Sequence, residues 1–363
     1  MALILTVILV ALVFEYINGF HDTANSIASV VSTKVLTPRQ AILLAAIMNL
    51  WGALAGTAVA KTVSSGIVDS HFVTSEILVA ALLGAIVWNL ITWWFGLPSS
   101  SSHALIGGLV GATLAAAHGN MDAIIWSAPK IGAPWFKWGG ILYKVIIPMV
   151  LSPVLGFFVG FCFMSLLYIV LQKTRPRVVT QTFSVAQLFS ASYLGHSHGH
   201  NDAQKTMGII ALALVAANKA GELHDLPPWL SFLRLADLGP NSDYIPLWIK
   251  VTCALTMAAG TAAGGMKIIR TLAQKMVKLQ PVNGFAADMT SATVLTTAAY
   301  FGMPVSTTHA ITASIMGVGT ARRFNALNMG VVQRILWAWM LTLPASAGVA
   351  YVIAKIFMTF FPR

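Results

Sequence analysis

Two short polar motifs each occur twice in this 363-residue chain, and almost everything around them is apolar. GFHDTANS at 19–26 is answered by GHNDAQKT at 199–206, and GLPSSSSHA at 96–104 by GMPVSTTHA at 302–310. Asp22 and Asp202 are 180 positions apart, and His103 and His309 are 206 apart. AGTA, at 55–58 and again at 259–262, falls between the two motifs in both halves. The order repeats, so the chain reads as two related halves, 1–177 and 178–363. In membrane proteins such repeats put the working site of a transporter at their interface.

The membrane reading rests on composition. A hydrophobic fraction of 57% with only 9% charged residues excludes a soluble globular domain, in which about 25% of residues are charged. Apolar stretches approaching or exceeding the roughly 20 residues that span a bilayer lie at 3–19, 41–60, 77–95, 141–171, 245–265 and 329–357. The first has no basic leader and no cleavage site before His21, so it reads as a membrane segment rather than a signal peptide.

The net charge of +11 does not call for nucleic acid, because the basic residues sit between apolar spans. They fit the positive-inside rule. Placing Lys34/Arg39, Lys173/Arg175/Arg177, Lys267/Arg270/Lys275/Lys278 and Arg322/Arg323 on the cytoplasmic side gives about five crossings per half, both termini outside. An odd number per half inverts one repeat relative to the other. The segment 219–244, with Glu222, Asp225, Asp237 and Asp243, then faces outward. The expected fold is an all-α polytopic membrane protein, an inverted-topology repeat bundle of about 10 to 12 segments with broken helices and re-entrant hairpins.

Residues 3–34 as one helix would be about 48 Å long against a core of about 30 Å. A break is therefore expected at 18–22, where Gly19 and polar side chains interrupt the run, and likewise at 195–201. In the second motif a proline precedes a run of serines or threonines, the signature of a helix start. Short helices should begin near 100–103 and 307–309, in hairpins buried in protein or lining a watery cavity.

A helix N-terminus binds an anion through its N–H groups without a basic side chain. Two of them, joined by the hydroxyls of Ser100, Ser101, Ser102, Ser306, Thr307 and Thr308, make a neutral cradle for a tetrahedral oxyanion. Asp22 and Asp202 repel an anion, and intramembrane carboxylates are usually functional. They become useful if each holds a cation or proton, or accepts a hydrogen bond from a protonated oxyanion. That favours phosphate over sulfate, which has no O–H at neutral pH. The bland alternatives are hydroxyls and aspartates that merely cap their own helices. Asn25, Asn201 and Gln204 offer donors and acceptors to a shared anion and cation site, and Glu15 is a candidate proton relay or a hydrogen-bond partner for a neighbouring helix. Lys205 stands where the first copy has Asn25; it can offset an aspartate, touch the anion or snorkel.

His196, His198 and His200 invite a metal, but their spacing matches no structural zinc pattern and no fixed metal site is assigned. His103 and His309 read as braces of the hairpins or proton gates. Cys162 and Cys253 sit in apolar runs and read as packing residues. No nucleophile elbow, Walker A sequence or HExxH is present, so neither an enzyme nor a primary pump is indicated, and no cofactor is called for.

At GFHDTANS, SHGHNDAQK, GLPSSSSHA and GMPVSTTHA the chain resembles the inorganic phosphate transporter (PiT) family, most closely its bacterial low-affinity Pit branch. The resemblance covers essentially the whole chain. It implies a symporter importing inorganic phosphate across the bacterial inner membrane by alternating access, with a co-transported cation, in a lipid-embedded inverted-repeat bundle. By position it implicates Asp22, Asn25, Asn201, Asp202 and Gln204, with the hydroxyls at 100–102 and 306–308. The chain departs from many sodium-coupled members in His21, and in Gln204 and Lys205 where they repeat an Ala-Asn pair. That favours proton coupling and a neutral metal–phosphate cargo, with sodium as the other choice. A sulfate permease on the same scaffold, or a non-transporting phosphate sensor or channel subunit, is the alternative, and a homo-oligomer is left open.

Overall fold

The computed structural model describes residues 2–223, 226–234, 245–265, 268–269, 271, 276, 278–321, 323 and 326–360. Among them are eleven α-helices, and the only β pairing is two isolated bridges. The molecule is polytopic and all-α. All six apolar stretches fall on helices: α1 (Ala2–Ser32), α2 (Pro38–Leu54) running into α3 (Ala58–Ser65), α4 (Ser75–Trp94), α6 (Ile147–Leu171), α8 (Leu247–Ala263) and α11 (Met329–Phe360). The motif helices are α5 (Ser101–Ala116) and α10 (Thr307–Thr320), and α7 (Pro176–Lys219) and α9 (Pro281–Tyr300) complete the set.

The surface is inverted relative to a soluble protein. Large apolar side chains such as Leu9, Trp51, Phe95, Phe158 and Met340 are exposed, while Glu15, Asp22, Asn201, Asp202, Lys205 and Asp288 are buried. Lipid is the solvent such a surface suits.

The expected breaks at 18–22 and 195–201 do not occur: α1 is one helix of 31 residues and α7 one of 44. Their glycines permit close helix contacts rather than kinks. A Cβ on Gly199 would collide with the backbone carbonyl of Asn49, and one on Gly19 with the backbone carbonyl of Met257 at 2.5 Å, with Thr261 N crowded at 3.1 Å. Some of the polar side chains also find partners on neighbouring helices, His21 at Thr92, Ser197 at Thr296 and His198 at Asn49.

The break falls instead at AGTA. Between α2 and α3 the chain bends by 67°, and the Gln204 side chain reaches across from α7 to accept from Val59 N at 2.8 Å and Ala60 N at 3.4 Å. At the second AGTA, α8 ends at Ala263 and Gly264 takes a left-handed φ of 71°.

Each hairpin returns to the side it came from. Asp69, just before α4, bonds Ala123, just after α5; Gln280 and Gly319, flanking α9 and α10, line one cavity with Tyr168, Lys278 and Arg323. The hairpins lie in different cores. One core gathers Ile4 to Ile17 of α1, most of α4 and α5, and the carboxy-terminal part of α7. The other gathers Ala24 to Val30 of α1, Ala191 and Leu194 of α7, and α9 with α10.

The hairpins are clasped crosswise. Gly111 of α5 lies against the Ala347 backbone of α11, while Gly317 of α10 lies against the Phe157 backbone of α6. At the hairpin tips Gly96 and Gly302 both have φ of 64°. Thr62, past the first AGTA, donates to the carbonyl of Gly302 at 2.7 Å, and Thr271, past the second, donates to that of Gly96 at 2.9 Å.

The basic clusters that can be placed share one end: Thr33, next to Lys34, donates to Gln187 in the first part of α7, and Lys278 and Arg323 meet beside Tyr168. Lys267, Arg270, Lys275 and Arg322 lie outside the described residues, as do Asp225, Asp237 and Asp243.

Candidate functional site

The site forms where the two cores meet, at the middle of α1 and α7. Ser100 and Ser306 are the N-caps of α5 and α10, each accepting from the amide of the histidine three residues on at 3.1 Å. Those histidines, His103 and His309, face each other with ring centroids 4.7 Å apart. The two helix N-termini are thereby brought together, with their first-turn amides and hydroxyls directed into a buried polar layer.

Lys205 is the hub of that layer. Its Nζ contacts Asp202 Oδ1 and Ser102 Oγ and donates to the carbonyl of Val305 at 3.0 Å. The other oxygen of Asp202 accepts from Thr307 at 3.0 Å and lies 3.2 Å from His198 Nε2. His198 is oriented by Asn49, whose Oδ1 is 3.2 Å from Nδ1 and whose amide donates to Thr261 Oγ1 at 3.0 Å.

The first copy is built on the same plan. Asn25 donates to Thr308 Oγ1 at 2.9 Å, and Thr308 donates to the carbonyl of Ser99 at 2.9 Å. Asp22 pairs with His21 at 2.8 Å, and the far side of that imidazole is 3.1 Å from Thr92, to which Ser99 donates. The symmetry is incomplete, because Thr307 bonds Asp202 while its counterpart Ser101 makes no side-chain hydrogen bond among the described residues. Asn201, 0% exposed, likewise has both amide atoms without a protein partner among them. Buried polar groups in this condition ask for a ligand or water.

Of the twelve residues selected from the sequence, Asp22, Asn25, Asp202, Ser102, Thr307 and Thr308 are brought together, Ser100 and Ser306 cap the two helices that meet there, and Ser101 and Asn201 are buried without a side-chain partner among the described residues. The Gln204 amide is engaged elsewhere, at the start of α3 and on the His200 carbonyl at 2.6 Å. Glu15 lies two turns before Asp22 on α1 and is held by Thr206.

Besides His21 and Lys205, two more buried groups lie outside the twelve. His198 joins Asp22 and Asp202 with ligating atoms all within 4.8 Å of one another, a set suited to a cation; the signal was its position one helical turn before Asp202. His196 and His200 are only partly buried, with His196 edge-on to Trp51. Asp288 is buried in α9 and accepts from Ser190 at 3.2 Å; a lone acid in a weakly polar run was its only sign.

A second polar feature stands at the tip of the α9–α10 hairpin. A cavity of about 770 Å3 is lined there by Lys61, Lys130, Lys137 and Lys144, with Thr57 and Gly302 at its edge. Lys144 is anchored by the carbonyls of Phe301 and Phe136 at 2.8 and 3.3 Å.

Comparison with known proteins bears on this arrangement. A family model described as the phosphate transporter family matches residues 18–350. A probable low-affinity inorganic phosphate transporter of Bacillus subtilis (strain 168) is 42% identical over 361 residues, covering 98% of each chain. One of Rhizobium meliloti (strain 1021) is 42% identical over 346 residues, covering 95% of this chain and 93% of its own. The fold is similar to that of a solved sodium-dependent phosphate transporter, with a TM-score of 0.80 at 23% identity and coverage of 99% and 100%. With its apolar helices and its buried polar crossing, the chain is a multi-pass inner-membrane transporter, not an enzyme, and belongs to the phosphate transporter family.

Proposed function

We propose that the chain is a secondary active symporter that imports inorganic phosphate by alternating access, built as an inverted repeat with its site at the repeat interface. The meeting of two hydroxyl-rich helix N-termini with two aspartates carries the reading. The first-turn amides of α5 and α10, with Ser101, Ser102, Thr307 and Thr308, bind the phosphate oxygens. Asn25 and Asn201 complete the shell. Asp22 and Asp202 accept from the phosphate O–H groups or hold the coupling cation, which ties transport of the anion to a cation gradient.

A proton is the favoured coupling ion, because each aspartate is flanked by an imidazole, His21 at 2.8 Å and His198 at 3.2 Å. Glu15 extends the path toward the amino-terminal end of α1. Sodium is the other choice, and it is the ion in the name of the solved relative. The Asp22, His198 and Asp202 set also favours a cargo in which a divalent ion accompanies the phosphate as a neutral complex.

The test is uptake of radiolabelled phosphate by proteoliposomes under imposed proton, sodium and magnesium gradients in turn. Accumulation against a phosphate gradient, driven by the proton gradient and unaffected by excess sulfate, is expected. Phosphate binding without accumulation would identify a sensor or channel subunit, and loss of uptake in sulfate would identify a sulfate permease.

A further inference from the structure

We propose that Lys205 is a built-in coupling cation: its tethered ammonium fills one of two related cation positions and leaves only the other to a mobile ion. This rests on the symport reading above and specifies its cation count.

The repeat sets Lys205 opposite Asn25. Lys205 is 3% exposed and lies near the middle of α7, so its side chain does not snorkel to an interface. Its ammonium meets three oxygens of three kinds: the carboxylate of Asp202 on its own helix, the hydroxyl of Ser102 at the start of α5 and the carbonyl of Val305 before α10. Carboxylate, hydroxyl and backbone carbonyl are oxygen donors of the kind hard cations take, and three acceptors satisfy the three N–H bonds of an ammonium. The position is already a cation site, with the ion attached to the chain.

The first copy has the same scaffold without the charge. Asn25 donates to Thr308, the counterpart of Ser102, through a neutral amide 2.9 Å away. Asp22 has His21 beside it but no ammonium, and faces His198 and Asp202 within 4.8 Å. A neutral residue on one side and a lysine on the other make the two positions unequal: one is loaded in every state of the carrier, and one must be loaded for each phosphate carried. Because Lys205 touches both hairpins at once, through Ser102 and Val305, it also places the permanent charge where the two helix N-termini converge.

The proposal is tested by moving the charge between the copies in reconstituted protein. Lys205→Asn gives the second copy the residue of the first. Its phosphate uptake is expected to fall at least 10-fold in choline medium and to recover at least 5-fold when sodium or lithium is supplied. The reversal potential of its phosphate current, measured on a solid-supported membrane, should shift by the equivalent of one more cation per phosphate. Lys205→Met, with no polar ligand, should not recover.

Asn25→Lys makes the converse change and should lose accumulation driven by a cation gradient. Wild-type uptake by Lys205→Asn in choline overturns the proposal. So does a monodisperse Lys205→Asn protein that responds to no monovalent cation, or an Asn25→Lys protein that still concentrates phosphate. If the unmodified protein itself accumulates no phosphate, the symport reading fails instead, and the two failures are told apart by that control.

Discussion

His103 and His309 meet edge to face with ring centroids 4.7 Å apart, and His309 in turn stacks on Trp339 of α11 at 4.0 Å. They occupy the same place in the two hairpins, so this contact is one of several at which the two halves of the sequence meet. The ring nitrogens of His103 make no hydrogen bond among the described residues, so the contact the structure gives this side chain is ring packing against His309. His103→Phe should therefore retain at least half of the phosphate uptake. His103→Ala leaves a void that costs roughly 3 kcal/mol, and should lower both the melting temperature in detergent and the maximal rate. Uptake abolished by His103→Phe in a stable protein would restore the gating role.

The two aspartates should not respond alike. Asp22→Asn and Asp202→Asn are each expected to reduce coupled uptake by roughly two orders of magnitude, an effect on the scale of 3 kcal/mol. Only Asp202→Asn leaves a buried lysine without its carboxylate, and breaking such a pair costs roughly 3–5 kcal/mol. Thermal melting of the two purified variants checks this: Asp202→Asn should melt well below Asp22→Asn. Equal melting temperatures would remove Lys205 from the argument.

Gln204 should behave as a structural support of α3. Gln204→Ala removes the acceptor for Val59 N and Ala60 N, a loss of about 1 kcal/mol by analogy with helix caps. The melting temperature and maximal rate should fall while KM for phosphate stays the same. Gln204→Glu keeps the acceptor but loses the donor to the His200 carbonyl and buries a charge against it, so it should not rescue stability. A KM raised several-fold in both variants would put Gln204 on the substrate.

The lysine-lined cavity at the tip of the second hairpin should act as an electrostatic funnel. Lys130 and Lys137 are exposed at its rim, where screening by salt is strong. Replacing both with Gln should raise KM for phosphate roughly 3-fold or more at low ionic strength, with an unchanged maximal rate. The difference should vanish near 1 M salt, where the Debye length is about 3 Å.

What could be read from the sequence was set by which signals are local. The starts of α5 and α10 were legible because a proline followed by hydroxyl residues defines a helix N-terminus within four positions, and the caps fall on Ser100 and Ser306. The continuity of α1 and α7 was not. Gly19 and Gly199 look like helix breakers until Thr261 and Asn49 are seen pressed against them, and those contacts come from more than 140 residues away. The partner of Gln204 was not legible for the same reason, since it is a helix end on another element. His198 was hidden among three histidines. Only the rotation of α7 decides that it, and not His196 or His200, faces Asp202.

The paired threonines at the hairpin tips bear on how the protein can move. Thr62 of the first half holds the Gly302 carbonyl of the second, and Thr271 of the second holds the Gly96 carbonyl of the first. Each hairpin tip is thus held from the other half of the sequence, like two hands gripping each other's wrists, and a shift of one half against the other would have to break a hydrogen bond at both tips.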